Sequence, residues 1–218
     1  MQALIEFFSW VGLGLVSLLP IVNPLTTIPI LLTITTDLTE AERNEQVRKA
    51  CIYMACILIA FLVAGHLIMT TFGISLPGIR IAGGTVIGYL GFRMLFPDQH
   101  KITGEGKEEA ARKQDVSFSP LAMPSLAGPG SIAVVITMSS TIDGQHGIYR
   151  LGALAAVVLA ILLTALICWI VLRWAGNLQR ILGVNGVDSM SRIMGFLLAC
   201  IGVQFIINGI KALVHGGL

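Results

Sequence analysis

Two short runs hold the residues of this chain best suited to bind a small polar molecule: Asn23-Pro24-Leu25-Thr26-Thr27 and Gly128-Pro129-Gly130-Ser131. Both interrupt long apolar stretches, and each places a proline directly after a residue type that caps helices. Proline in a helix interior costs roughly 3 kcal/mol, because it removes a hydrogen bond and clashes with the preceding turn. At the first position of a helix its missing N–H does no harm, and Asn or Gly is acceptable just before it. The spacing therefore predicts a helix starting at Pro24 and another at Pro129, with Thr26 and Ser131 as the third helical residues.

A helix start presents unpaired N–H groups and the positive end of a dipole, so two of them near the middle of a membrane could hold a carboxylate without an arginine. The Asn23 amide and the hydroxyls of Thr26, Thr27 and Ser131 would add hydrogen bonds. Carbonyls freed upstream of each proline could accept from an ammonium group. That chemistry suits a small zwitterion, and the small side-chain bulk at Gly128 and Gly130 favours glycine, alanine or serine over larger ligands. A kink that serves packing alone explains either run taken singly. Two breaks in corresponding places, each followed by a hydroxyl residue, argue for a site between them.

The elements that must position these residues are membrane helices. Over 218 residues the chain is 55% hydrophobic and 12% charged, with mean hydropathy +0.85, more apolar surface than one soluble domain buries. A net charge of +2, without a basic stripe, gives no reason to expect nucleic acid. The start, MQALIEFFSW, lacks the basic region and cleavage site of a secretory signal, so the first apolar run is expected to remain as a membrane helix.

Six segments approach the roughly 20 apolar residues a span needs: 4–35, 48–72, 79–97, 119–140, 148–173 and 188–212. Between them, Thr39 and Glu42 match a capping box that opens the second segment. The polar linker 98–118 divides the chain into units 1–97 and 119–218 of three helices each. Arg80-Ile81-Ala82-Gly83 in the third helix matches Arg192-Ile193-Met194-Gly195 in the sixth, and small residues follow in both, at Gly84, Gly88, Gly91 and at Gly195, Ala199, Gly202. Three helices per unit is an odd number, so the second copy enters the membrane from the opposite face. The expected fold is an all-α membrane protein of six transmembrane helices in two inverted three-helix repeats, with the first and fourth helices broken near the midplane, a plan common among secondary transporters. The glycine stripes serve internal packing or a homo-oligomer interface equally well. Of 14 Lys and Arg, 11 fall on one side of this arrangement, which places both termini outside, in the periplasm of a Gram-negative cell.

Other polar residues read more plainly. No acidic residue sits at the bilayer centre, which leaves the coupling ion unassigned. His66 is expected to be packed or interfacial rather than a proton carrier. Gln204 and Asn208 are expected to bond between helices, and Arg80 and Arg192 to snorkel or to gate. The four cysteines, Cys51, Cys56, Cys168 and Cys200, lack metal-ligand spacing and read as small buried hydrophobes. No enzyme signature, metal site or cofactor motif appears.

NPLTT at 23–27, FGISLPGIRIAGG at 72–84, GFRMLFP at 91–97, PLAMPSLAGPG at 120–130 and SRIMGFLLACIGVQFIINGI at 191–210 closely resemble the MarC family of bacterial inner-membrane proteins. The linker 98–118 takes no part in the resemblance. The likeness implies a multi-pass protein of the cell inner membrane with six helices, distantly similar to the lysine-exporter superfamily, in which some MarC-like proteins are described as neutral amino-acid transporters. The family takes its name from an antibiotic-resistance operon, which does not demonstrate drug efflux. Its signature falls on Asn23, Pro24, Gly128, Pro129 and Gly130. The expected function is transport or export of a small zwitterionic or neutral metabolite within membrane lipid. The alternatives are drug efflux and a non-transporting scaffold or stress-associated accessory protein.

Overall fold

A computed structural model of the chain describes residues 2–96, 116–143 and 148–215, which leaves most of the linker 98–118 outside the described residues. The described residues are helical, without strands: α1 (Gln2–Val22), α2 (Pro24–Ile34), α3 (Glu40–Phe72), α4 (Leu76–Leu95), a wide-wound segment Ser117–Leu126, α5 (Pro129–Asp143), α6 (Ile148–Arg173) and α7 (Ala175–His215). Four of these are long and apolar enough to cross a membrane, over Leu4–Val22, Glu40–Phe72, Tyr149–Arg173 and Gly186–Val214. The 20 residues of α4 reach the length but are diluted by glycines and by Arg80 and Arg93. The 15 residues of α5 extend only about 22 Å against a hydrocarbon core of about 30 Å.

Local chemistry sets most of the boundaries. The capping box forms as expected: the Thr39 N–H donates to Glu42 Oε2 at 2.8 Å and the Glu42 N–H to Thr39 Oγ1 at 3.3 Å. Such a cap contributes about 1 kcal/mol to the start of α3. Gly73 closes α3 in the left-handed region, with φ 63°, and Ser75 then opens α4 by accepting from the Gly78 N–H.

Two boundaries and the burial of the cysteines differ from expectation. The segment ahead of Pro129 is no regular half-helix: Ser117–Leu126 carries extended backbone at Ser119 and Met123. Prolines at 120 and 124 withhold donors there, and the Ala127 N–H reaches five residues back, to the Ala122 carbonyl at 2.7 Å. The last helix begins at Ala175 rather than near 188 and breaks at Gly183, where φ 69° suits a residue without a Cβ. Two of the four cysteines, Cys51 and Cys168, are buried, whereas Cys56 and Cys200 are exposed, because they sit on outward faces of α3 and α7.

The most extensive packing joins α4 to α7, which run antiparallel. A Cβ on Gly84 would lie 2.6 Å from the Gly202 carbonyl, and one on Gly91 would lie 2.6 Å from the Gly195 carbonyl. The reverse contacts hold as well, from Gly202 to Gly84 and from Gly195 to Gly91. Removing side chains lets the two backbones touch. Around this pair α1 packs on α6, while α3 packs on α5, α6 and the Ser117–Leu126 segment, burying Leu18, Leu31, Met54, Leu58, Leu121 and Ile161.

Candidate functional site

Helix α1 continues past Pro20 to the Asn23 N–H, which bonds the Leu19 carbonyl at 3.0 Å. Pro24 has no N–H to give to the carbonyl four residues back, that of Pro20, and the ladder stops. Asn23 then takes a left-handed conformation, φ 37° and ψ 79°, the only positive φ outside glycine among the described residues. Asparagine tolerates this region better than most residues, yet it still costs about 1–3 kcal/mol. The side chain does not cap α2: Asn23 is 4% exposed, and its amide nitrogen, Nδ2, has no hydrogen-bond partner. An unpaired buried polar group costs about 1–3 kcal/mol more. Asn23 therefore stands at the N-cap position the sequence suggests but makes no side-chain cap, its backbone being left-handed rather than extended.

The two breaks share one bond. Thr26 Oγ1 donates to the Asn23 carbonyl at 2.9 Å, and Ser131 Oγ donates to the Gly128 carbonyl at the same 2.9 Å. Each hydroxyl thus spends its proton on the carbonyl three residues before it. The Thr26 and Ser131 hydroxyl protons brace the two breaks and leave oxygen lone pairs as their remaining hydrogen-bonding capacity. The N–H groups of Leu25 and Thr26 are left at the start of α2 without a side-chain cap.

The structure brings the breaks together. A Cβ on Gly130 would lie 3.2 Å from Ile21 Cγ2 and 3.0 Å from Ile87 Cγ1, so the start of α5 is seated against the last turn of α1 and the middle of α4. Asn23, Pro24, Thr27, Gly130 and Ser131 are buried, Thr26 and Gly128 half-buried, and Pro129 exposed. Gln46 of α3 holds the approach to the second break, its Oε1 accepting from the buried Val116 N–H at 3.2 Å.

A family model for MarC family integral membrane proteins matches residues 8–214. The chain belongs to the MarC family. Proteins named inner membrane protein MarC from Escherichia coli O1:K1 and from strain K12 are each 44% identical to it over 217 residues, covering 97% of this chain and 98% of theirs. It is accordingly an integral membrane protein of a family whose relatives are inner-membrane proteins. No solved structure matches it.

Other polar residues of this MarC-family chain find partners that sequence spacing did not indicate. His66 near the end of α3 lies 3.1 Å from Asp143 at the end of α5, and Arg150 of α6 reaches the other oxygen of the same carboxylate at 2.6 Å. Gln204 and Asn208 bond to each other one turn apart on α7 at 2.9 Å, rather than across helices. Arg192 pairs with Asp188 at 3.0 Å, also within its own helix. Among the described residues no group of His, Cys, Asp and Glu is arranged to hold a metal ion.

Proposed function

We propose that this MarC-family protein is a secondary transporter or exporter of small neutral amino acids or similar metabolites, and not an enzyme, with its substrate held between the breaks at Asn23 and Gly128. The observation that carries this reading is the Asn23 amide nitrogen, unpaired in a residue only 4% exposed, beside a helix start that no side chain caps. A buried donor of this cost is accounted for by a ligand acceptor that pairs with it. A substrate carboxylate meets both needs at once, accepting from Nδ2 and from the free N–H groups at the start of α2. The Pro20 carbonyl, to which Pro24 has no N–H to donate, and the lone pairs of Thr26 and Ser131 then suit an ammonium group. Thr27, Pro24, Pro129 and Gly130 shape the space around it.

Alternating access fits a chain of six spans, in which α1–α2 and 117–143 each cross as a broken helix, α4 crosses despite its low hydropathy, and both termini face outside. The reciprocal contacts between Gly84 and Gly202 and between Gly91 and Gly195, together with the shared hydroxyl-to-carbonyl bond at the two breaks, support two inverted repeats. The charge distribution supports the orientation. Drug efflux has less support, since no aromatic residue lies within either break.

Uptake and counterflow of labelled glycine and alanine into proteoliposomes test the proposal, with wild type set against Asn23→Gly. That variant suits the backbone angle and removes only the amide. Flux above empty liposomes, lost in Asn23→Gly, is expected. No flux across a panel of amino acids would remove the transporter reading and leave the scaffold role.

A further inference from the structure

A second feature lies on the membrane face, away from both breaks. Helices α3 and α6 part to leave an apolar groove of about 360 Å³, walled by Ile52, Ala55 and Ile59 on one side and by Leu162, Ala165 and Leu166 on the other. Its polar end is defined by Arg48, and beside it Trp169 forms the wall. The guanidinium of Arg173 stands over the Trp169 ring at 5.1 Å, so two cations crown one end of the groove. Neither arginine has a carboxylate within ion-pair distance among the described residues.

Length separates the candidate occupants. From Arg48 to Ile59 the helix rises about 16 Å, half of a hydrocarbon core of about 30 Å. Charged groups avoid the bilayer centre, which places Arg48 and Arg173 at an interface and Ile59 near the middle. The groove is thus one leaflet deep, apolar along its length and cationic at its headgroup end. A soluble metabolite would leave the apolar walls unfilled, and a second copy of the chain would have to supply anions opposite both arginines.

We propose that the groove between α3 and α6 is a binding site for an anionic phospholipid, with one acyl chain lying from Ile52 to Ile59 and the phosphate held by Arg48 and Arg173. Guanidinium groups bind phosphate oxygens through two parallel hydrogen bonds, and basic pockets between membrane helices select anionic headgroups in this way. A zwitterionic lipid fills the same slot but carries a cation of its own toward the arginines.

Trp169 is a built-in reporter, because it is part of the groove wall. The full chain carrying Trp10→Phe and Trp174→Phe, with Trp169 as its one remaining tryptophan, is placed in phosphatidylcholine bilayers doped with a small, fixed fraction of brominated lipid. Brominated phosphatidylglycerol is expected to quench Trp169 several-fold more effectively than brominated phosphatidylcholine at the same fraction. Arg48→Gln with Arg173→Gln should bring that preference down to about one, as expected for loss of the charge-assisted hydrogen bonds to the phosphate. Equal quenching by the two lipids overturns the proposal, as does a preference that survives both arginine changes. Absence of quenching by either lipid, which would mean that protein covers the groove, overturns it too. The first comparison needs no groove variant, so misfolding of the arginine variants does not protect the idea.

Discussion

At Asn23 the chain passes from one helix to the next through a single left-handed residue, whereas it reaches Gly128 through a segment of 10 residues wound too wide for an α-helix. Both breaks place a proline at the start of the following helix, and both return a hydroxyl to the same relative carbonyl at 2.9 Å. What differs is the residue at the turn. The first break carries a buried amide nitrogen with nothing to bond, and the second carries Gly130 seated on Ile21 and Ile87. The first turn thus leaves a polar donor buried, and the second lets the start of α5 approach α1 and α4 closely. The same proline and the same hydroxyl bond therefore accompany two turns with different packing.

The largest effect on stability is expected at the contact that joins the two breaks. Gly130→Val places branched carbons against Ile87 and Ile21, and overpacking of this kind costs about 1–3 kcal/mol. Thermal unfolding in detergent should record the loss, and glycine counterflow should fall to background. An unchanged melting profile would mean that the breaks do not meet. Next is Gln46→Leu, which strands the buried Val116 N–H at a cost of about 1–2 kcal/mol and loosens only the second break. Proteolysis confined to the residues ahead of Pro129 would show this; equal loosening around Asn23 would contradict it.

At Asn23 itself, glycine and alanine part company. Both substitutions remove the amide and should abolish transport, but Asn23→Gly should be more stable than Asn23→Ala by about 1 kcal/mol, since only glycine accepts φ 37° without strain. If Asn23→Gly still carries substrate, the amide has no ligand. The smallest effects belong to Thr26→Val and Ser131→Ala, each losing one back-bond worth about 0.5–1 kcal/mol. Equal losses in chemical denaturation would support equivalence of the breaks, and a loss at one alone would end it.

How much was legible in sequence follows from the range of each interaction. The helix starts at Pro24 and Pro129 and the Thr39–Glu42 cap are set by residues within one turn, and sequence indicated all of them. The glycine stripes of α4 and α7 were visible, but their pairing with each other depends on antiparallel contact across more than a hundred residues. The His66–Asp143–Arg150 cluster is of the same kind, since three residues from three helices carry no shared spacing. The missing Asn23 side-chain cap was hidden for another reason: Asn caps helices readily from an extended backbone, and here its backbone is left-handed.

The backbone contact between α4 and α7 has a genetic consequence. No residue is smaller than glycine, so every missense change at the codons for Gly84, Gly91, Gly195 or Gly202 adds atoms where a Cβ alone would lie 2.5–2.7 Å from its neighbour. Gly88, in the same stripe, has nothing within 4 Å of its added Cβ. A library of single-codon variants should therefore show gaps at the four contact glycines and a tolerated alanine at Gly88, a pattern that identifies the shared seam from survival alone.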